Sequence, residues 1–312
     1  MPKLFLRIAI LFLLTGCAST KKEKFDDYVF KTKKEKQSYL KSYDKALKLW
    51  DVPYSEDNIK TSYGTVHVVK AGPQNGKELV LLHGMDASST MWYPNIKALA
   101  KKHRIYAIDF LMEPGKSTLK SKPLSKEEII ILYNEIFNHY KLKNFDIVAA
   151  SRGGWITMLL ATQKKNSIDK IVLLSPAQTF QFIDKMGKTS SALMLKIFPS
   201  EKKFQKTLKT FSIHPEKISP VYKRQFYLAN KYASSNSSML KMTPFSNEEL
   251  RSIKSPVLVL IGDQDVINSE ESLQKAKKFL QHSVTKTIKD AGHFLSIDQS
   301  KIVNQAIIDF LG

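Results

Sequence analysis

The sequence predicts an α/β fold in which a mostly parallel central sheet is flanked by helices. Short β-branched or apolar runs alternate along the chain with segments of helical periodicity, and this alternation is typical of parallel sheets with crossover helices. The apolar run Phe145–Ala150 ends at Ser151, and Gly153-Gly154 then opens an apolar helical segment. We therefore expect a sharp turn from strand to helix at Ser151.

Composition narrows the class of protein. The chain has 312 residues, of which 43% are hydrophobic and 25% charged, as in folded globular proteins. The formal net charge is +20, mostly from scattered lysines; solvated lysine is the favoured interpretation, and attraction to an anionic membrane surface is the second. The sequence has no zinc-finger spacing, RNP-type aromatic motif or compact arginine-rich arm, so we expect no nucleic-acid partner.

The N-terminus has the pattern of a processing segment. Lys3 and Arg7 precede an apolar run, Ile8–Leu14, which is too short to span a bilayer. The run ends in Leu14-Thr15-Gly16-Cys17, which resembles the lipobox of bacterial lipoproteins. The resemblance implies that residues 1–16 are a signal peptide and that Cys17 carries the lipid. An ordinary secretory signal with a chance cysteine is the alternative.

A lipid-bearing Cys17 would anchor the protein to the extracytoplasmic face of a cell membrane, because two acyl chains suffice for stable anchoring. Cys17 is the single cysteine, so neither an intramolecular disulfide nor a multi-cysteine metal site is expected. Residues 17–36 are polar and rich in lysine and are predicted to form a tether.

The rest of the chain is predicted to form one body with an inserted cap. Residues 37–177 form the first part of the core, beginning with a helix over residues 37–50. Residues 178–253 contain no clear strand but helical stretches rich in aromatic residues and methionine, and they are predicted to be a helical cap. Residues 254–312 form the second part of the core.

The elements follow from hydrophobic patterning. The predicted strands are Thr65–Val69, Glu78–Leu82, Arg104–Phe110, Phe145–Ala150, Lys170–Leu174 and Pro256–Ile261. The predicted core helices after residue 60 are Trp92–Lys102, Lys126–Tyr140, Trp155–Lys164, Glu270–Gln281 and Ser300–Leu311.

The turn at Ser151 resembles the nucleophile elbow of the α/β-hydrolases, in which a serine sits on a strained strand-to-helix turn. Strand and helix approach closely there, so Ala149 and Gly153 cannot carry bulk. Alanine at 149 departs from the usual G-x-S-x-G pattern but meets the steric requirement. The resemblance covers about residues 60–312 and implies an α/β-hydrolase fold with the helical cap inserted after strand 6.

A serine hydroxyl needs a general base oriented by a third group, and the family order is serine, acid, histidine. Two segments, Gly262-Asp263-Gln264-Asp265 and Ala291-Gly292-His293-Phe294, resemble the acid and base loops of the family. The resemblance implies that Ser151 is the nucleophile and His293 the base. Asp265 would orient the imidazole, and Asp263 is the alternative acid.

The family binds the oxyanion with two backbone N–H groups, which the resemblance assigns to Arg152 and Met85. His83, in the same loop as Met85, is expected to shape that loop and not to act as a second base. The Arg152 side chain is expected to pair with a buried carboxylate, and contact with an acidic substrate is the alternative.

Two further acidic residues are expected to be structural. Asp109 and the following Glu113-Pro114-Gly115-Lys116-Ser117 resemble, in degraded form, the Asp-x-x-Gly-x-Gly-x-Ser loop of the family. Asp86 follows the predicted oxyanion loop and is expected to form a loop hydrogen bond near the site.

These motifs imply a serine hydrolase, and specifically a carboxylesterase that cleaves small or medium carboxylic esters through an acyl-enzyme. Serine at position 151, where other branches have aspartate, disfavours haloalkane dehalogenases and epoxide hydrolases. No glycine-rich phosphate loop follows a strand and no His/Glu cluster has helical spacing, so neither a cofactor nor a metal is expected.

Other functions stay open. The same three residues would serve a thioesterase, lactonase, C–C bond hydrolase or aminopeptidase, and the fold could also serve a ligand sensor with little turnover. The expected partners are a small-molecule ester or acyl substrate and, through Cys17, a membrane. The sequence leaves open the substrate, the oligomeric state and which membrane carries the anchor.

Overall fold

The computed structural model describes residue 25 and residues 27–119, 123–163, 167–183, 186–234 and 242–312. The predicted signal peptide and lipidation site, Cys17, lie outside the described residues. Among the helices described, none is long and apolar enough to cross a membrane.

A twisted sheet of nine strands runs through the described part of the chain in the order β1-β2-β4-β3-β6-β7-β8-β9, and the short β5 pairs with β2 outside this path. Strands β1, β2 and β4 pair antiparallel, and all the neighbours from β4 to β9 are parallel. The strands are Tyr54–Lys60 (β1), Gly64–Ala71 (β2), Lys77–Leu82 (β3), His103–Ile108 (β4), Thr118–Leu119 (β5), Phe145–Ala150 (β6), Ile168–Leu174 (β7), Val257–Gly262 (β8) and Ser283–Ile288 (β9).

Helices cover both faces of this sheet. They are Lys33–Leu47 (α1), Ile96–Leu99 (α2), Lys126–His139 (α3), Arg152–Ala161 (α4), Met186–Ile197 (α5), Glu201–Phe211 (α6), Pro220–Tyr232 (α7), Asn247–Ser252 (α8), Glu270–Phe279 (α9), Leu295–Asp298 (α10) and Ser300–Leu311 (α11). The predicted α/β architecture, with a mostly parallel sheet between helices, is confirmed.

The central strands are buried on both faces, so alternate side chains enter two separate cores. Val80 and Leu82 join the core under α3, α4 and α9, whereas Leu79 and Leu81 join the core under α2 and α11. Each buried aliphatic side chain contributes about 1.5–3 kcal/mol. The near-continuous apolar runs of β3, β6, β7 and β8 are therefore strong sequence signals.

The sequence missed the strands β1, β5 and β9. In β1, Ile59 is the one buried residue, and in β9 only Ile288 is buried. An edge strand with one buried side chain has neither an apolar run nor a clear alternation. The two-residue β5 is too short to carry a pattern at all.

The predicted helix Trp92–Lys102 is wrong in extent. A 3₁₀ turn over Ser89–Trp92 is followed by the short α2, Ile96–Leu99. Pro94 lies between them, and proline has no N–H to donate to a continuous helix.

The predicted tether is too long at its C-terminal end. Helix α1 begins at Lys33, and Thr32 caps it by accepting a hydrogen bond from the Glu35 N–H at 3.2 Å. Val29 and Phe30 are buried, although the lysine-rich composition of this segment suggested solvent. The body thus begins before residue 36 in this structure.

The segment between β7 and β8 is helical where it is described, and it contains α5, α6, α7 and α8. Strand β7 is the sixth strand along the main path of the sheet, because β5 pairs outside that path. Helix α7 also contacts α1, where the Gln225 amide donates to the Tyr39 hydroxyl at 3.0 Å.

Candidate active site

Ser151 sits on a strained turn between β6 and α4. Its φ is 50°, which is costly for a residue other than glycine. The turn is held by hydrogen bonds from the Ser151 N–H to the Leu174 carbonyl at 2.9 Å and from the Gly154 N–H to the Ser151 carbonyl at 3.0 Å. A Cβ atom at Gly153 would lie 2.4 Å from the Leu82 carbonyl oxygen, which explains why this position is glycine.

Ser151, His293 and Asp265 form one hydrogen-bonded chain. The Ser151 Oγ lies 3.0 Å from His293 Nε2, and His293 Nδ1 lies 3.0 Å from Asp265 Oδ1. A carboxylate can only accept, so Nδ1 carries the proton and Nε2 is the acceptor for the serine hydroxyl. This is the arrangement in which an imidazole takes a proton from a serine.

Asp265 is held in its charged form. Burial alone would raise the pKa of this carboxyl, but His293 and the hydrogen bonds from the Ile267 N–H and the Asn268 amide hold the pKa below its ordinary value. The Asp265 side chain is fully buried. Asp265 is therefore a fixed negative charge beside His293.

The alternative acid, Asp263, has a different position. Its side chain is exposed, and its Oδ1 accepts the Ala291 N–H at 3.1 Å. This hydrogen bond joins the loop that follows β8 to the loop that carries His293. Among the contacts described, Asp263 forms no hydrogen bond with the His293 imidazole.

The two loops approach closely because position 262 has no side chain. A Cβ atom at Gly262 would lie 2.2 Å from the Ala291 carbonyl oxygen. The base loop is also fixed by Asp298, which accepts the Gly292 N–H at 2.8 Å and the Ile213 N–H, just after α6, at 3.0 Å. Sequence reasoning missed Asp298, since an aspartate in a helical segment is ordinarily a solvated residue.

The two predicted oxyanion donors, Met85 and Arg152, lie on two segments that are close to Ser151 in space. Arg152 is the first residue of α4, so its N–H is among those that point out of the helix N-terminus. Met85 follows Gly84, and a Cβ atom at Gly84 would lie 3.2 Å from Ser151 Cβ. The oxyanion roles of both N–H groups remain predictions.

Both ring nitrogens of His83 form hydrogen bonds with backbone atoms. The Phe110 N–H donates to its Nε2 at 3.0 Å, and its Nδ1 lies 2.8 Å from the Gly84 carbonyl. Because Nε2 accepts, Nδ1 must be the donor. Both ring nitrogens shape the loop, as the sequence suggested.

The Arg152 side chain pairs with Glu113, and both side chains are almost fully buried. The other Glu113 oxygen accepts the Asp86 N–H at 2.9 Å. Of the two alternatives left by the sequence, the structure shows the pairing with a buried carboxylate. No motif identified Glu113 as the partner, since the two residues are 39 positions apart.

Asp86 reaches the cap as well. Its carboxylate lies 2.8 Å from the Lys196 ammonium, and both side chains are mostly buried. Asp86 has a φ of 56°, and it directly follows Met85. The expected loop hydrogen bond of Asp86 exists through its N–H, but its side chain makes an ion pair with α5 that the sequence did not predict.

Asp109 holds loops together, as expected. Its Oδ1 accepts the Ser89 N–H at 2.8 Å and its Oδ2 accepts the Lys116 N–H at 2.9 Å. A Cβ atom at Gly115 would lie 2.8 Å from the same carboxylate, so the absence of a side chain at Gly115 makes room for Asp109. Within the described residues, no group of three or more His, Cys, Asp or Glu side chains is placed to hold a metal ion.

Comparison with known proteins gives concordant matches. A family model described as alpha/beta hydrolase fold matches residues 78–300. The chain is 29% identical to a Bacillus subtilis carboxylesterase over 281 residues, which cover 87% of this chain and 91% of the relative.

Two solved structures from the same organism are similar throughout. The naproxen esterase (carboxylesterase NP) of Bacillus subtilis superposes with a TM-score of 0.82 at 30% identity, covering 88% of this chain and 97% of the esterase. The carboxylesterase CesB of Bacillus subtilis superposes with a TM-score of 0.81 at 25% identity, covering 89% and 98%.

Proposed function

Because this chain belongs to the alpha/beta hydrolase fold family, we propose that it is a lipid-anchored carboxylesterase that uses Ser151, His293 and Asp265 as its catalytic triad. The hydrogen-bonded chain from Ser151 Oγ through the His293 imidazole to Asp265, with two contacts of 3.0 Å, carries the proposal. The carboxylesterase relatives support the ester as the substrate class.

The proposed reaction has two halves. Ser151 Oγ attacks the ester carbonyl carbon while His293 Nε2 takes the hydroxyl proton, and the N–H groups of Met85 and Arg152 stabilise the oxyanion. The C–O bond then breaks, and His293 returns the proton to the departing alcohol. His293 then takes a proton from water, whose oxygen attacks the acyl carbonyl carbon. As the bond from that carbon to Ser151 Oγ breaks, His293 returns the proton to Oγ and the carboxylic acid is released.

A panel of p-nitrophenyl esters of increasing chain length tests the activity and the preference for small or medium acyl groups. We expect turnover by the wild-type chain and a loss of at least about 1000-fold in kcat for Ser151→Ala. Turnover of thioesters, lactones or peptides in place of the esters would favour another hydrolase of this fold. A folded protein without turnover on any of them would favour a ligand sensor.

The lipid anchor is proposed from the lipobox-like Leu14-Thr15-Gly16-Cys17 alone. Anchoring at Cys17 would place the enzyme on the extracytoplasmic face of the cell membrane. We expect metabolic labelling with palmitate and partition into the detergent phase for the wild-type chain, and loss of both for Cys17→Ser. Equal behaviour of the two chains would contradict the anchor but leave the esterase proposal intact.

A further inference from the structure

The outer side of the cap carries a cluster of exposed apolar side chains. Of the ten large apolar side chains that are exposed in the described part of the chain, five lie between residues 182 and 198. Single exposed apolar residues are normal, but a contiguous group marks an interaction surface. Four of the five lie on α5 or directly after it and are named here the apolar cap face: Leu193, Met194, Ile197 and Phe198, exposed by 60, 42, 51 and 59%.

Helix α5 presents apolar side chains both inward and outward. Leu195 is fully buried in a hydrophobic core, whereas Leu193 and Ile197, one helical turn apart, face solvent. A helix at the surface of a soluble domain ordinarily has a polar outer face, and one that is apolar on both sides contacts a further apolar phase. No segment among the described residues covers the apolar cap face.

A row of lysines lies beside the apolar cap face. Lys202, Lys206 and Lys209 are exposed on one side of α6, at the spacing of one helix face, and they are named here the lysine row. Lys203 connects the two surfaces, because its Nζ donates to the Phe198 carbonyl at 3.1 Å and lies 4.8 Å from the centre of the Phe198 ring. Glu201 is the single acidic residue of α6.

We propose that the apolar cap face and the lysine row together form a docking surface for an anionic lipid bilayer. Apolar side chains beside lysines are the features of helices that lie in the interface of a membrane. The apolar side chains would enter the head-group region, and the lysines would lie near lipid phosphates. A second copy of this chain is the poorer occupant, because the chain carries a net charge of +20 and self-association would bring like charges together.

The same two helices also contact the catalytic loops. Lys196 of α5 pairs with Asp86, and Phe211, the last residue of α6, lies against the His293 ring with centroids 5.6 Å apart. Docking would thus hold at the bilayer two helices that contact the loops carrying Asp86 and His293. The docking proposal is independent of the proposed ester hydrolysis and of the lipid on Cys17.

Vesicle co-sedimentation of residues 18–312 tests the surface without the lipid anchor. This chain keeps every described residue, including Val29, which is the first buried residue of either hydrophobic core. We expect partition onto vesicles of equal phosphatidylglycerol and phosphatidylcholine to exceed that onto phosphatidylcholine alone by about tenfold or more, and to weaken in high salt. The variants Leu193→Ser/Ile197→Ser and Lys202→Gln/Lys206→Gln/Lys209→Gln should each lower binding by about tenfold or more.

Matched variants on the body control for the loss of apolar area and charge. Val284→Ser/Ile302→Ser replaces two side chains that are 53 and 46% exposed. The exposed lysines of the control Lys101→Gln/Lys277→Gln/Lys301→Gln remove the same charge as the lysine-row variant. Both controls should bind like the wild-type chain.

Three results would overturn the proposal. They are no preference of the wild-type chain for anionic vesicles, an equal loss of binding in the control variants, and a solution dimer that the Leu193→Ser/Ile197→Ser variant dissociates without any vesicle binding. All variants should hydrolyse a soluble p-nitrophenyl ester at the wild-type rate. Absence of hydrolysis in the wild-type chain would concern the esterase proposal alone.

Discussion

The Lys196 ammonium lies 2.8 Å from the Asp86 carboxylate and so joins cap helix α5 to the loop that holds Met85. Burial alone would lower the pKa of Lys196, but the Asp86 and Glu113 carboxylates raise it above its ordinary value. Lys196 is therefore charged at neutral pH.

We predict that Lys196→Met lowers both stability and rate. It leaves Asp86 mostly buried without its cation, which costs about 3 kcal/mol in the free energy of unfolding. Because Asp86 follows the predicted oxyanion donor Met85, kcat/KM should fall by about 10- to 100-fold. Urea unfolding and ester hydrolysis measure the two effects.

The control for this prediction is Lys97→Met, which breaks the exposed pair of Lys97 and Asp51. Solvent screens exposed pairs, which contribute little to stability, so this variant should keep nearly all of its stability and its rate. Equal effects of the two substitutions would contradict a special role for the Lys196–Asp86 pair.

Arg152→Met should be strongly destabilising, since it leaves Glu113 buried and without the guanidinium. Breaking a buried pair typically costs about 3–5 kcal/mol. The double variant Arg152→Met/Glu113→Gln should recover part of that loss, because the glutamine oxygen still accepts the Asp86 N–H. A double variant less stable than Arg152→Met would show that the pair is not the source of the effect.

Asp265→Asn should lower kcat by about 10⁴-fold, because an amide no longer fixes the imidazole tautomer that accepts from Ser151. Asp263→Asn is the matched control in the same loop. It removes an exposed carboxylate that bonds the Ala291 N–H, and its rate should stay within about fivefold of wild type. The opposite ranking of the two variants would assign the acid to Asp263.

The lowered pKa of Asp265 also predicts how the free energy of unfolding changes in acid. A carboxyl whose pKa is lower in the folded state stabilises the fold above its ordinary pKa, and this contribution is lost as the pH falls through the folded-state value. The stability advantage of the wild-type chain over Asp265→Asn should narrow as the pH falls below about 4. Urea unfolding at pH 5 and 3.5 measures it; an advantage that is larger at pH 3.5 than at pH 5 would contradict the pKa direction.

Gly153→Ala should disrupt the turn at Ser151, because its Cβ would lie 2.4 Å from the Leu82 carbonyl oxygen and backbone atoms would have to move. A loss of at least about 3 kcal/mol is expected. Ala149→Gly, the control on the other side of Ser151, removes only one methyl group and should cost about 1 kcal/mol. Circular dichroism melts of both variants decide the ranking.

The sequence predicted the parts of the molecule that have strong local patterns. The bounds of β6 were predicted to the residue, because all six of its side chains are buried and every one of them is apolar or small except Asp146. The steric requirement predicted at Gly153 is confirmed, because the close approach of β3 leaves no room for a Cβ atom there.

The long-range polar contacts could not be predicted in the same way. Glu113 reaches Arg152, Lys196 reaches Asp86 and Asp298 reaches Ile213 only after the loops and the cap have folded. The sequence around each of these residues does not identify which distant residue it contacts. Their partners are set by tertiary packing, which no periodicity or spacing records.

The most direct test of the account is labelling of the protein with a fluorophosphonate, followed by mass spectrometry of the labelled peptide. Ser175→Ala is the matched control, because Ser175 is a fully buried serine with positive φ at the end of the neighbouring strand β7. We predict one adduct, on Ser151, that persists in Ser175→Ala and disappears in Ser151→Ala and His293→Ala. An adduct on another residue, or no adduct on the folded wild-type chain, would contradict the proposed nucleophile.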